Sequence, residues 1–332
     1  MGDELTKSHL PWPVRVGRRV AVRRRLRPGD PTGAVFTDVT GELLCADGSG
    51  VEVDSRHGRV RVEWADVVAA KEIPPKASRR GHPHRTVPID DLQRLMVDGL
   101  PPLTSEHLGD WLLRSAEGFT GRGNSVLALG DSGFSPSDAV DRCVGWYARL
   151  GLPALFQIAG PVGFDPSDHP VVAEIDRRGG RCSPRVAVMT AAVREIALTR
   201  SAIGVTVDAT TRPTDQWWRA ASPRTIDRRT VAARVLAGVE DGRYLTLSDT
   251  APRANTRLAY SPGWVGLFDL HVAEAFRGKG FGRALVGAAA READRRGVRS
   301  MYLQVSSDNA PAIGLYESLG FSTHHEYIYA RL

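Results

Sequence analysis

Val265-Gly-Leu-Phe-Asp-Leu-His-Val272 is an apolar run of strand length, and four residues later the chain reads Arg277-Gly-Lys-Gly-Phe-Gly-Arg283. The segment that follows, Ala284-Leu-Val-Gly-Ala-Ala-Ala-Arg-Glu-Ala293, is rich in helix formers. Strand, glycine-rich turn and helix therefore follow in order. Gly278, Gly280 and Gly282 remove side chains that would hold an anion away from the backbone, so successive N–H groups can converge on a phosphate at the helix start. A second strand, Ser300-Met-Tyr-Leu-Gln-Val305, runs into Ser-Ser-Asp-Asn309 and then Ala312-Ile-Gly-Leu-Tyr-Glu-Ser-Leu-Gly-Phe321. A dinucleotide fold would want an N-terminal βαβ unit and an acidic residue closing the second strand about 20 residues on.

The combination instead resembles the GNAT N-acetyltransferase superfamily. That family's pattern is an Arg/Gln-x-x-Gly-x-Gly/Ala turn after a strand, then an Asn, then Leu-Tyr-x-x-x-Gly-Phe. Leu303 to Phe321 is especially similar to the ribosomal-protein alanine acetyltransferases. The resemblance implies acetyl-CoA as cosubstrate, held in a V-shaped gap where the fourth strand of the fold splays from the fifth. It assigns the stretch from Phe268 through Leu270 and His271 to Val272 to the pantetheine arm. Arg277, Gly278, Lys279, Gly280, Phe281, Gly282 and Arg283 match the pyrophosphate turn. Asn309 matches a residue that helps hold the pantetheine, and Tyr316 the tyrosine that protonates the departing thiolate. A phenol with a pKa of about 10 can hydrogen-bond sulfur and return a proton. Outside this motif, a tyrosine on a helix would read as core.

The general base departs from the pattern. Gln304 stands where the alanine acetyltransferases carry a glutamate, and Gly266 where other relatives do. The nearest ionisable groups are Asp269 and His271, two apart on one strand and so expected to face the same way. Either can act directly or through a water; a satisfied strand residue is the competing reading.

The rest of the chain sets the context. With 332 residues, 42% hydrophobic and 25% charged, it has room for two or three globular domains. No basic n-region or apolar core opens it, and no run approaches the roughly 20 apolar residues of a membrane span. Cys45, Cys143 and Cys182 are too scattered for a disulfide framework or zinc site. A cytoplasmic enzyme without membrane or metal is the expectation. Residues 1–86 carry 16 Lys/Arg against 11 Asp/Glu, a surplus of five out of the total of +6. The densest part is Arg15 to Arg27, where an acidic or nucleic-acid partner is one reading. The alternation of Val20, Val22 and Leu26 with arginines favours a strand with one wet face.

Residues 10–75 read as a small all-β module, similar to the SH3-like barrel that precedes some actinobacterial, histone acetyltransferase-like GNAT proteins. Residues 76–88 read as a solvated basic linker, its His82 and His84 too few for a metal site. Residues 89–200 follow as β-β-α-β-α-β, a degenerate GNAT-like half. There Gly118-Phe-Thr-Gly-Arg-Gly-Asn-Ser125 shapes a hairpin, with Arg122 and Asn124 holding it or facing the acceptor. Residues 201–332 form the catalytic half. In it Ile203 to Asp208 is a strand, Thr214 to Ala221 and Ile226 to Val239 are lid helices, and one of the adjacent Trp217 and Trp218 is expected to line the acceptor pocket or pack at the junction. The fold class is thus α/β (α+β), a tandem GNAT fold of mixed central sheets with flanking helices behind a small β-barrel. The implied function is direct transfer of acetyl from acetyl-CoA to a primary amine, on a protein lysine or N-terminus or a small molecule. The alternative is a non-catalytic acyl-CoA-binding or nucleic-acid-associated interaction protein.

Overall fold

The computed structural model describes residues 14–26, 34–74, 82–199, 203–248 and 252–332. The chain divides into two units, Met1–Lys76 and Ala77–Leu332.

In the first unit, β1 (Arg19–Arg25), β2 (Phe36–Ala46), β3 (Gly50–Ser55), β4 (Gly58–Glu63) and β5 (Val67–Glu72) make one antiparallel sheet in the order β4-β3-β2-β1-β5. Val20 and Val22 of β1 are fully buried, while Arg23 and Arg25 stand exposed, the two-residue period of a half-wet strand. The basic stripe is partly neutralised where it lies. Arg23 pairs with Asp38 at 2.8 Å, Arg15 with Glu72 at 2.8 Å, and Arg61 with Asp47.

The second unit opens with α1 (Pro83–Thr86) and α2 (Ile89–Met96), then β6 (Thr104–Leu108), β7 (Trp111–Ser115), β8 (Val126–Leu127), α3 (Pro136–Arg149), β9 (Leu155–Gly160), α4 (Pro170–Arg177), the two-residue β10 (Arg181–Cys182) and β11 (Val186–Ala192). After α5 (Val193–Ala197), β12 (Val207–Thr210), α6 (Asp215–Ala220), α7 (Pro223–Asp227) and α8 (Arg229–Ala237) come β13 (Gly242–Ser248), β14 (Pro252–Ser261), β15 (Trp264–Val272), α9 (Phe281–Arg295), β16 (Ser300–Ser306), α10 (Ala310–Glu317) and β17 (Ser322–Arg331). All the strands of this unit share one sheet, ordered β12-β13-β14-β15-β16-β11-β17-β9-β8-β7-β6, with β10 on β17.

One element order is written twice: β6-β7-β8-α3-β9-α4-β11 and β13-β14-β15-α9-β16-α10-β17. Each run holds a parallel pair bridged by a helix, β8 with β9 and β15 with β16. Their last strands are exchanged. β11 pairs antiparallel with β16, β17 pairs antiparallel with β9, and the two pair with each other at the centre of the sheet.

Three local readings need correction. The strand expected at Ile203 to Asp208 begins only at Val207, because β13 offers it four residue partners. The helix expected from Ile226 to Val239 breaks into α7 and α8 at Arg228, which has φ −118°. Pro83 to Pro88 is not solvated throughout: α1 sits against β11, His84 is 3% exposed, and Thr190 Oγ1 donates to His84 O at 2.6 Å.

Candidate active site

β15 and β16 pair in parallel from Trp264 and Ser300 as far as Leu267 and Leu303. Past that point β15 keeps only its β14 partner, through to Val272, so residues 268–272 present backbone groups to a gap between the strands. The parting coincides with a register shift between Asn255 and Arg257 on β14 and with Asp269 at φ +50°, which together form a β-bulge. Thr256 Oγ1 locks it by donating to Phe268 O at 2.8 Å. The bulge breaks the strict alternation that would point Asp269 and His271 the same way. Asp269 lies 3.5 Å from Nε of the buried Arg257, whereas His271 Nδ1 donates to Ala220 O at 2.8 Å.

The glycine turn follows. Gly278 has φ +71° and Gly280 φ +84°, and a Cβ on either would meet nothing closer than 3.8 Å. Glycine is needed here for backbone conformation rather than space. Gly282 differs: its Cβ would lie 3.1 Å from Leu315 Cδ2, so it serves the approach of α9 to α10. Gly280 caps α9 without a side chain and no acid sits in the first turn. The first backbone bond into the helix is Ala284 N–H to Gly280 O at 3.0 Å, which leaves the N–H groups of Phe281 to Arg283 at the positive end of the helix dipole. The corresponding helix of the first run is built the other way. Ser135 Oγ caps α3 by accepting from Asp138 N–H at 3.2 Å, and the Asp138 carboxylate stands in the first turn. An anion is welcomed at α9 and repelled at α3.

These elements enclose a cleft of ≈ 1070 Å³. The sequence-predicted Phe268, Asp269, Leu270, His271, Val272, Arg277, Gly278, Gly280, Phe281, Gly282, Arg283, Asn309 and Tyr316 all line it. Lys279 does not; its Nζ folds back to Ala275 O at 2.9 Å. Asn309 caps α10 through Oδ1, which accepts from Ala312 N–H at 3.2 Å and leaves its amide N–H₂ for other partners. Tyr316 on α10 is 7% exposed, and burial pushes its phenol up to about 12, so it stays protonated at neutral pH.

The missing glutamates have structural counterparts. A Cβ on Gly266 would fall 2.5 Å from both Tyr302 Oη and Phe268 Cε2, so no larger residue fits. Gln304 lines the cleft and accepts from Tyr327 Oη at 3.1 Å.

The far wall holds residues the sequence reading left in doubt or missed. Asn124 holds its hairpin, accepting from Ala116 N–H and Gly118 N–H and donating to Thr120 O. Arg122 on the same turn reaches the cleft, its guanidinium 5.8 Å from the Phe268 ring. Tyr327 and Tyr329 join it from β17, two apart on one strand, a Tyr-x-Tyr signal that could have been read. Neither tryptophan lines the cleft. Trp217 and Trp218 are 0% and 6% exposed and pack edge to face at 5.1 Å, because α6 is covered on both sides by α8 and the sheet; Trp217 Nε1 also donates to Thr256 O. No cysteine lines the cleft, and burial pushes the Cys143 thiol up to about 12. Among the described residues no group of three or more His, Cys, Asp or Glu could hold a metal, and no helix is long and apolar enough to cross a membrane.

Comparison with known proteins fits this geometry. Residues 86–330 match the family model described as Probable histone acetyltransferase Rv0428c C-terminal, and residues 14–71 match the Rv0428c N-terminal Sm-like domain. The small β module expected as SH3-like is thus Sm-like by that match. The chain is 27% identical over 257 residues to the uncharacterized N-acetyltransferase YobR of Bacillus subtilis, covering 73% of this chain and 97% of that one. It is 45% identical over 56 residues to the ribosomal protein bS18 alanine N-acetyltransferase of Escherichia coli, 17% of this chain and 38% of that one. Among solved structures, a GCN5-related N-acetyltransferase from Kribbella flavida superposes with TM-score 0.53 at 15% identity, covering 73% of this chain and 94% of that one. A tandem GNAT protein from the clavulanic acid biosynthesis pathway gives 0.51 at 15% identity, covering 78% and 89%.

Proposed function

Because the chain belongs to the Rv0428c C-terminal acetyltransferase family, and so to the GNAT-type N-acetyltransferases, we propose that it carries acetyl directly from acetyl-CoA to a primary amine. The observation that carries this reading is the joining of three features on one cleft: the open edge of β15, the left-handed glycine turn, and the uncapped start of α9. Residues 268–272 would pair with the pantetheine amides, and the N–H groups of Phe281 to Arg283 would take the pyrophosphate. Acetyl-CoA supplies the activated acyl group. The self-capped α3 argues for one such site per chain rather than two.

The chain's own residues then divide the proton work. His271 spends Nδ1–H on Ala220 O, which fixes the tautomer and leaves the Nε2 lone pair as a base for the incoming ammonium. Asp269 is the weaker candidate for base because it offsets the buried Arg257. Tyr316, kept protonated by burial, is the acid for the departing thiolate. Covalent catalysis by cysteine is not part of this reading. The likeness to the bS18 alanine enzyme spans only 17% of the chain, so it bears on the fold of the donor side and leaves the acceptor open. The nucleic-acid alternative is not favoured, since arginines of the first unit are paired to carboxylates.

Calorimetric titration of acetyl-CoA into the full chain, with Gly280→Glu beside it, tests the proposal. One site per chain, lost in the variant, is expected. Equal binding by both proteins would rule out the cradle assignment.

A further inference from the structure

The acceptor wall of this cleft is basic. Its lining includes Arg122, Arg224, Arg277 and Arg283 against a single carboxylate, Asp269. Arg277 and Arg283 belong to the donor turn; Arg122 and Arg224 do not. Arg122 is carried in by the hairpin of the first run and half-buried against the Phe268 ring, yet its guanidinium has no hydrogen-bonded or carboxylate partner among the described residues. The approach is built. A Cβ on Gly121 would lie 3.1 Å from Cζ of Tyr329, so glycine lets the turn press onto β17 and aim the next side chain inward. Asn124 fixes the same turn through three hydrogen bonds. A guanidinium carried on so fixed a turn, with no anion of the described residues within hydrogen-bond reach, is poised for one brought by a ligand.

Resting on the acetyltransferase reading above, we propose that the acceptor is an amine bearing a carboxylate of its own, the amine lying toward Asp269 and His271 and the carboxylate paired with the Arg122 fork. Asp269 and Arg122 both line the cleft, so its wall offers a negative and a positive group to one ligand, the complement of a zwitterion. Arg224 and Arg228, with Asp227, line a further depression that continues outward from Thr120, Gly121 and Tyr329 and would admit the remainder of such a molecule. A polycationic lysine-rich tail would meet uncompensated arginines and is disfavoured.

The test compares matched pairs that differ only in the α-carboxylate, such as phenylalanine with phenethylamine and glutamine with 4-aminobutyramide, by release of the CoA thiol. The carboxylate member at the α position should be favoured about tenfold or more in kcat/KM, the scale of a half-exposed charge-assisted contact. Arg122→Gln should bring that ratio near one while acetyl-CoA affinity stays as in the parent, and Arg122→Glu should reverse it. A parent that prefers the decarboxylated amines or a lysine-rich peptide, or a ratio indifferent to Arg122, overturns the proposal. Calorimetry gives a readout that needs no turnover: N-acetylphenylalanine should bind the CoA complex more tightly than N-acetylphenethylamine, and Arg122→Gln should erase the difference. Equal binding of the two overturns the proposal even if acetyl-CoA itself binds. Failure of acetyl-CoA to bind would instead strike the acetyltransferase reading.

Discussion

The side-chain amide nitrogen of Gln93 donates to Nε2 of His325 at 2.8 Å, and this bond fixes the direction of a buried chain that crosses the sheet. Arg114 can only donate, so Gln157 Oε1 accepts from it at 2.9 Å and Gln157 Nε2 must donate, to Gln93 Oε1 at 2.7 Å. Gln93 then gives its own N–H to His325, His325 Nδ1–H passes to His324 Nδ1 at 2.8 Å, and His324 Nε2–H ends on Val87 O at 2.9 Å. Every link is satisfied only while both histidines are neutral.

Acid is therefore expected to unfold the protein through this chain. Burial holds His325 down at about 3 and lowers His324 and His84 as well. Their unfolded forms titrate near 6.5, so the unfolded state binds more protons below that pH. Stability should be flat above pH about 6.5 and fall as pH drops toward 3, at up to about 1.4 kcal/mol per pH unit for His325 alone. Urea unfolding between pH 8 and 4.5 measures this. His325→Gln should lie lower at pH 8 but show a shallower slope, and an unchanged slope would remove His325 from the account.

Tyr316→Phe should leave the fold and acetyl-CoA affinity intact while lowering kcat by roughly 10²-fold, the usual scale of a positioned acid. The ring packs at 5.8 Å against Phe321, and phenylalanine keeps that contact. Steady-state kinetics with calorimetry decides it; unchanged kcat would make Tyr316 a packing residue.

The two absent glutamates separate by the space around them. Gln304→Glu keeps volume, and Tyr327 Oη can donate to a carboxylate as it does to the amide, so this variant should fold and stay active. Gly266→Glu drives a side chain into Tyr302 and Phe268 and should cost about 3 kcal/mol or more, as overpacking of a core does. His271→Gln should lower kcat by about 10²-fold in either background if Nε2 is the base. Activity retained by His271→Gln but lost by Asp269→Asn would transfer that role to Asp269.

The wall of the cleft formed by the glycine turn and α10 was legible because its pattern is local. A turn that needs left-handed residues at 278 and 280 must spell glycine, and Asn309 through Tyr316 lie on one continuous cap and helix. The opposite wall was not, because Arg122, Tyr327 and Tyr329 come from strands and turns far apart in the chain and meet only through sheet pairing. The bulge at Asp269 was equally hidden: alternation is a default that a single residue at φ +50° suspends. For Trp217 and Trp218, lining the pocket and packing at the junction were both open, and both residues pack: adjacent helical residues point about 100° apart, and a helix covered on both sides buries both.

The exchange of β11 and β17 sets the last expectation. β11 belongs in sequence to the first run, yet it is bonded over Val186 to Ala192 to β16 of the second, and β17 returns the exchange over Glu326 to Arg331 with β9. Neither run can complete its sheet alone, and each isolated piece would expose an apolar strand edge. Separately produced fragments 77–200 and 201–332 should therefore lack cooperative thermal unfolding and should aggregate. Refolded together they should recover one transition and the acetyl-CoA site. The intact second unit should unfold in a single step followed identically by tryptophan fluorescence and far-ultraviolet circular dichroism. Two separate transitions, or a stable monomeric 201–332 fragment that binds acetyl-CoA, would mean that the exchanged strands are accessory to the second run rather than part of its core.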